Sequence, residues 1–176
     1  CRMPRKRPLP AAISGETVVG TPRGPLIVGG LDSTETSVEG VFLLDPKSGH
    51  AQQVGSLTGP LHDAAAAILG DQMLVFGGGT ETSTDEVQAL AMSKGSIATG
   101  STAQPVGRLP TVRSDLSAVT IGSTAYVLGG YDGNEPLASV LATADGSRFT
   151  EVTKLPAPGR YLAVATLAGR IYAFGG

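Results

Sequence analysis

The sequence lacks several features that mark common classes of protein. Its 176 residues contain no tryptophan and a single cysteine, Cys1, so an intrachain disulfide and a cysteine-based zinc site are both excluded. No apolar run approaches the roughly 18–20 residues that span a bilayer, and we therefore expect no transmembrane segment. Long runs of leucine, glutamate and lysine, which build helices, are also missing, whereas 25 glycines and 12 prolines favour turns. These absences predict an all-β chain.

Charged residues are scarce and unevenly distributed. They make up 16% of the chain, and the formal net charge is −2. Four of the thirteen basic residues are Arg2, Arg5, Lys6 and Arg7, which leaves nine basic against fifteen acidic residues from residue 8 onward, a net charge of −6. Affinity for nucleic acid depends on clustered lysine and arginine that neutralise phosphates. We therefore expect no nucleic-acid partner.

Residues 1–8 contain two prolines and no hydrophobic periodicity, and we interpret them as an extended basic arm. The chain begins with cysteine and ends on a glycine pair in the middle of a repeat, so both ends have the character of cut ends. Cys1 fits either a terminus left by signal or lipoprotein-type cleavage or an arbitrary fragment boundary, and both interpretations remain open. The first would make the protein extracytoplasmic, either secreted or membrane-anchored.

Two regularly spaced markers show that the chain is built from repeats. Glycine pairs begin at residues 29, 77, 129 and 175, and prolines recur at residues 10, 60, 110 and 156. Both markers keep a period near 50 residues, which is the length of a four-stranded propeller blade rather than of a helical or leucine-rich repeat. Each period contains short apolar runs separated by turn residues, which we predict to be strands.

The repeat predicts about three and a half four-stranded blades, an incomplete propeller ring, over residues 9–176. The blades span residues 9–59, 60–109, 110–156 and, in part, 157–176. In the third blade the predicted strands are residues 115–121, 124–128, 139–144 and 149–153. A strand is also predicted at residues 72–76 of the second blade, and the fourth blade has predicted strands at residues 162–167 and 170–174. Residues 93–102 of the second blade are rich in serine, glycine and threonine, so we expect a long mobile connection there.

The apolar runs also predict how the blades pack. Small side chains at residues 64–67 fit the crowded axis where blades converge, and the continuously apolar runs 73–76, 125–128 and 171–174 fit strands with a sheet on both faces. The glycine pairs have no Cβ, so we expect them to turn the chain and to allow a neighbouring blade to approach closely. We expect residues 171–174 to face solvent.

The glycine pair that closes the second strand of each repeat, with Tyr126 and Tyr172 three residues before their pairs, resembles the kelch repeat. The resemblance implies a kelch-type β-propeller and covers almost everything after residue 9. Two kelch hallmarks are missing, because the chain has no tryptophan for the fourth strand and has Leu44 and Ala144 where the third-strand tyrosine would stand. The alanine-rich, tryptophan-free sequence resembles bacterial kelch-like proteins more than the metazoan adaptors of ubiquitin ligases.

His62, Arg113 and Arg160 are the candidate partner-binding residues, because they lie at similar distances before their glycine pairs. We expect all three in exposed loops that precede the innermost strands, near the mouth of the central channel, where loops carry function. The competing interpretation is that they only solvate these loops. The loops after the glycine pairs, at residues 32, 81 and 132, are expected to emerge at the opposite ends of the same strands.

The sequence predicts no catalytic residue, no cofactor and no metal site. It has no Gly-x-Ser-x-Gly nucleophile motif and no phosphate-binding loop that leads into a helix. His50 and His62 have no carboxylate cluster nearby in the sequence, so we do not predict a metal site. Asp63 and Asp115 correspond between repeats, and we expect each to cap a turn by accepting hydrogen bonds from backbone amides rather than to form a catalytic pair.

Two functions remain open at this point. A kelch-type interaction module would hold a protein or carbohydrate partner through the loops on one face of the propeller. A fragment of a propeller enzyme that resembles galactose oxidase or sialic-acid mutarotase would have its catalytic residues outside this chain. Because propellers close with about four to eight blades, we expect missing blades or self-association to complete the ring.

Overall fold

The structure is a computed structural model that describes residues 13–176. The basic arm predicted for residues 1–8, and the start of the first predicted blade, lie outside the described residues. Within residues 13–176 the chain contains strands and turns but no helix, as the glycine and proline content predicts. Accordingly, that part of the chain offers no helix with the length and apolar character needed to cross a membrane.

The first sheet is antiparallel, and its four main strands follow one another in chain order. These strands are β1 (Thr17–Thr21), β2 (Gly24–Val28), β3 (Gly40–Leu44) and β4 (Ala51–Ser56). Each strand pairs with the strand that follows it in the chain, and the connections comprise residues 22–23, 29–39 and 45–50. This is the meander expected for one blade.

The second sheet repeats this arrangement and carries a short extension. Its strands are β5 (Ala65–Leu69), β6 (Gln72–Phe76), β7 (Glu86–Ser93), β8 (Ser96–Ile97) and β10 (Gln104–Arg108). The strand between β8 and β10 in the chain, β9 (Ser101–Thr102), belongs to the first sheet. The four main strands lie in the order β5-β6-β7-β10, and β8 pairs with the end of β7. The predicted strand at residues 72–76 is confirmed without a shift.

The third and fourth sheets continue the repeat. Their strands are β11 (Ser117–Ile121), β12 (Thr124–Leu128), β13 (Ser139–Thr143) and β14 (Thr150–Lys154), followed by β15 (Ala163–Leu167) and β16 (Arg170–Phe174). The first strands of neighbouring sheets, β1, β5, β11 and β15, contact one another in that order. The described sheets thus radiate from a common inner side, and they do not close into a ring.

The expectation of a mobile connection at residues 93–102 is wrong. After the β7–β8 hairpin the chain crosses to the first sheet, where β9 pairs in parallel with β4. Ile97 and Ala103 are buried in the cluster between the first two sheets. The polar composition of this segment does not predict the burial of these two apolar residues, because they pack against residues of another sheet. The crossing covers the edge of β4 at its last residues, 54–56, which would otherwise present unpaired backbone groups.

The core consists of two apolar clusters, one on each side of the second sheet. Alternate residues of β6 point to opposite faces, so Met73 and Val75 belong to the first cluster while Leu74 and Phe76 belong to the second. All four are at most 1% exposed, and burial of each such side chain contributes about 1.5–3 kcal/mol. The alanines of β5 are buried in the same alternating way, which confirms the prediction of small residues near the axis.

Glycine pairs hold neighbouring sheets together, as their lack of a Cβ predicts. Gly77 has φ +57°, and a Cβ on it would lie 2.2 Å from the carbonyl oxygen of Arg113 in the next sheet's leading loop. That same carbonyl accepts a hydrogen bond of 2.9 Å from Gly78. By contrast, Tyr172 and Phe174 of the fourth sheet are 39% and 61% exposed, as expected for residues 171–174.

Candidate functional site at one end of the sheets

Four equivalent residues mark the same end of the four sheets, each 14 positions before the first glycine of its pair. They are Gly15, Asp63, Asp115 and Tyr161, and all have a left-handed backbone with φ between 53° and 61°. The amide of each later residue donates to the carbonyl of the one before it, at 2.8, 2.8 and 2.9 Å. Left-handed non-glycine residues cost about 1–3 kcal/mol each and persist where the surroundings hold them. This backbone ladder therefore fixes the three side chains close together.

An open pocket with a volume of about 440 Å³ lies at this end, and we call it the loop pocket. It is lined by residues 62–63, 79–83, 112, 114–115, 131–134 and 160. These residues come from the loops that precede the first strands of the second, third and fourth sheets, and from the loops that follow the second strands of the second and third sheets. Loops of three repeats thus converge on one cavity.

Backbone pairing holds the two kinds of loop together. His62 exchanges a pair of backbone hydrogen bonds with Gly79, at 2.9 and 3.0 Å, and Ser114 does the same with Tyr131, at 2.9 and 2.8 Å. The loop after Tyr131 is closed by Asp132, whose carboxylate accepts hydrogen bonds from the amides of residues 134 and 135, both at 2.8 Å. These amides hold the pKa of Asp132 below its ordinary value.

The most constrained contact in the loop pocket joins the third and fourth sheets. The Asp115 side chain is 2% exposed and forms an ion pair with Arg160, whose Nε donates to Oδ2 at 2.6 Å. The Arg160 guanidinium carbon lies 4.1 Å from the centre of the Tyr131 ring and 5.3 Å from that of Tyr161. The guanidinium is thus satisfied both by a carboxylate and by aromatic faces.

A second carboxylate, that of Asp63, lies beside this ion pair. Burial, the negative charge of Asp115 and a hydrogen bond shared with it raise the pKa of Asp63, against the opposite effects of His62 and Arg160. The His62 Nε2 atom is 3.7 Å from the Asp63 carboxylate, and its Nδ1 atom is 2.9 Å from the Ser37 hydroxyl. Polar groups from all four sheets therefore form a continuous series at this end.

The structure brings together two of the three sequence-predicted residues. His62 and Arg160 both line the loop pocket. Arg113 does not, because its side chain is 2% exposed and points into the protein, where it donates to the Gly129 carbonyl at 3.0 Å and to the Ser139 hydroxyl at 3.2 Å. The expectation that Arg113 is an exposed loop residue is wrong. Burial also lowers the pKa of its guanidinium.

Two further expectations need correction. The loops before the first strands and after the second strands share one face, since Glu81 and Asp132 line the same pocket as His62 and Arg160. The physical reason is that the first two strands of each sheet are antiparallel, so the start of one lies beside the end of the next. Asp115 is also not a turn cap in the sense expected, because its carboxylate is bonded to the guanidinium of Arg160.

Sequence reasoning missed Ser114, Tyr131 and Tyr161 as parts of the site. Counting back from the glycine pairs would have found the first and the last. Ser114 stands 15 positions before its pair, as do His62 and Arg160, whereas Arg113 stands 16 before. In residues 13–176 no group of three or more histidine, cysteine, aspartate or glutamate side chains is arranged to hold a metal ion.

Comparison with known proteins agrees with this architecture. The kelch motif matches residues 113–142, which span β11, β12 and most of β13. This motif and the repeated antiparallel sheets fit the kelch-repeat propeller family. The described sheets therefore have the architecture of part of a kelch-type β-propeller, without a closed ring.

The chain is also similar to a plant protein. Acyl-CoA-binding domain-containing protein 5 of Arabidopsis thaliana is 28% identical to the chain over 181 residues. The aligned region covers 95% of this chain but 28% of the plant protein, so the chain spans a little over a quarter of that relative's length.

Proposed function

We propose that the chain is a kelch-type interaction module that holds a protein or carbohydrate partner at the loop pocket. The observation that supports this function is the convergence of loops from three sheets on one open cavity. The kelch motif favours an interaction module, and the scaffold provides rigid strands under every one of these loops. Binding residues on loops held by a rigid scaffold are the usual arrangement for recognition.

The lining of the loop pocket suits recognition of a polar partner. Tyr131 is among the lining residues, and Tyr161, beside the lining residue Arg160, is 64% exposed; each ring combines an apolar surface with a polar hydroxyl. Ser83 and Ser114 lie close enough for their hydroxyls to share a hydrogen bond of 3.0 Å. Donors, acceptors and an aromatic surface therefore stand together within a cavity of about 440 Å³, a volume typical of ligand pockets.

The test compares two arginine substitutions at opposite ends of the sheets. Thr82→Arg places a long side chain in the rim of the loop pocket, and Ser123→Arg places the same side chain in the exposed β11–β12 turn at the other end. The wild-type chain would be screened against a displayed peptide library and a glycan array. Binders found in this way should retain affinity for Ser123→Arg and lose it with Thr82→Arg.

Both variants are exposed at the site of substitution, so their melting temperatures should match that of the wild type. Binders that recognise the two variants equally well would show that the partner uses another surface. Binders lost with Ser123→Arg alone would move the binding face to the opposite end of the sheets.

A further inference from the structure

The place equivalent to the Arg160–Asp115 ion pair, one repeat earlier, has the carboxylate but no arginine. Arg160 and Ser114 stand at the same repeat position, 15 residues before their glycine pairs, and Asp115 and Asp63 share the next position. By repeat position, Ser114 is therefore placed relative to Asp63 as Arg160 is placed relative to Asp115. At the earlier step the carboxylate is present, but the guanidinium is replaced by a short hydroxyl side chain.

The aromatic surface is missing at the same place. Arg160 lies over Tyr131, which is the second residue after the first glycine of its pair. The residue at that position in the second repeat is Gly79, and it has no side chain. Asp63, Gly79 and Ser114 all line the loop pocket. The cavity thus occupies the space that would be filled if residue 79 were a tyrosine, as in the third repeat, and residue 114 an arginine, as in the fourth.

The charges around this space favour a cation. The positive charge of Arg160 is already matched by Asp115, with which it forms an ion pair. The other carboxylates that line the loop pocket belong to Asp63, Glu81 and Asp132, and His62 is the remaining basic side chain among the lining residues. A guanidinium placed beside Asp63 would gain a charge-assisted hydrogen bond, whereas an anionic group would meet uncompensated carboxylates.

We propose that the loop pocket receives an arginine side chain from a protein partner, and that its guanidinium takes beside Asp63 the place that Arg160 takes beside Asp115. This inference rests on the proposed function, because it names the chemistry of the partner at the same pocket. The planar guanidinium suits the site better than an ammonium, since it donates along two edges and stacks on tyrosine rings. The Tyr161 ring, whose centre is 5.3 Å from the guanidinium carbon of the pocket residue Arg160, is still 64% exposed and offers its remaining surface for such stacking.

The probe is a set of capped pentapeptides, Gly-Ser-X-Ser-Gly, in which X is arginine, lysine, citrulline or glutamate. Citrulline keeps the shape of arginine and removes its charge, so it separates charge from shape. Each peptide would be titrated into the 176-residue chain, and binding would be followed by amide chemical shifts in NMR spectra. The arginine peptide should bind at least about tenfold more tightly than the citrulline and glutamate peptides, because one charge-assisted contact is worth more than 1.4 kcal/mol.

Two variants locate the binding to the proposed place. Asp63→Asn removes the carboxylate charge and should weaken the arginine peptide by about tenfold. Ser114→Arg supplies the missing guanidinium from within the chain, so it should fill the space beside Asp63 and abolish peptide binding. Ser123→Arg adds the same side chain at the other end of the sheets and should leave binding unchanged. Amide spectra and melting curves of the variants establish that each remains folded.

The proposal is overturned if the citrulline or glutamate peptide binds as tightly as the arginine peptide, or if Ser114→Arg leaves binding unchanged. It is also overturned if about 10 mM arginine peptide, a concentration that reveals even millimolar affinity, causes no shifts at the loop pocket. Even if the arginine proposal fails in one of these ways, the proposed function is supported as long as a binder found in the library or array screen loses affinity for Thr82→Arg. Loss of that dependence as well would refute the interaction face itself.

Discussion

Truncation of Arg113 to alanine should destabilise the fold strongly, although the residue is charged and lies in a loop. Its guanidinium is buried and joins the end of β12 to the start of β13 through the Gly129 carbonyl and the Ser139 hydroxyl. The remaining nitrogen, Nε, is buried without a hydrogen-bond partner among the described residues. The side chain therefore acts as a structural link within the third sheet rather than as a surface group.

The magnitude follows from what alanine would leave behind. Each hydrogen bond from a charged donor is worth about 1.5–3 kcal/mol, but burial of the guanidinium costs several kcal/mol, so the two contributions partly cancel. Alanine removes both bonds, leaves the Gly129 carbonyl unsatisfied and opens a cavity where the side-chain stem packed. We expect a loss of about 2–4 kcal/mol in the free energy of unfolding. For a chain of this length that corresponds to a melting temperature lower by about 4–16 °C.

Urea unfolding and thermal melting of Arg113→Ala measure this loss. Arg113→Met keeps most of the volume without the buried charge, so it should be less destabilising than alanine. Arg23→Ala is the control, because Arg23 is exposed in the β1–β2 turn and its loss should change stability by at most about 0.5 kcal/mol. If Arg113→Ala is as mild as Arg23→Ala, the assignment of a structural role to this arginine is refuted.

Two other changes test the site and the packing between sheets. Asp63→Asn should stabilise the fold near pH 7, because burial and Asp115 raise the pKa of Asp63. The contribution of the Asp63 carboxyl group to stability is fully present below its ordinary pKa of 3.8 and is lost as the pH rises through the raised value. The gain in stability from asparagine should therefore shrink in acid. Urea unfolding near pH 7 and below pH 3.8 measures this gain, and an equal gain under the two conditions contradicts the argument. Gly107→Ala should cost about 1–3 kcal/mol by overpacking, since its Cβ would lie 2.3 Å from the Gly146 carbonyl oxygen in the neighbouring sheet. Gly59→Ala meets no atom within 4 Å and should be nearly neutral in the same unfolding assay, so an equal loss in both variants would locate the effect in the backbone rather than in the packing.

The strands were predictable where turn residues bound them closely. Residues 72–76, 124–128 and 170–174 form strands with the predicted bounds, because each lies between a polar turn and a glycine pair. Prediction failed at residues 93–102, where local composition carries no trace of the pairing of β9 with β4. A contact between strands of different sheets depends on long-range packing, and a pattern of neighbouring residues does not encode it.

The site was predictable only in part, for a similar reason. His62 and Arg160 were found from their positions before the glycine pairs, and they line the loop pocket. Arg113 was misjudged because charge alone suggests exposure. Its partners Gly129 and Ser139 lie 16 and 26 residues away along the chain. Whether an arginine is a ligand-binding group or an internal link is decided by such partners and not by its residue type.

The repeat itself explains why the differences between its copies matter. The backbone ladder makes residues at one repeat position neighbours in space, so Asp63 and Asp115 meet although 52 positions separate them. Identical repeats would place like charges side by side at every step, which is unfavourable. The chain relieves this repulsion at one step with Arg160 and leaves Asp63 facing an open cavity at the step before. The position at which a repeat departs from its neighbour is therefore where the proposed arginine side chain of a partner would be accommodated.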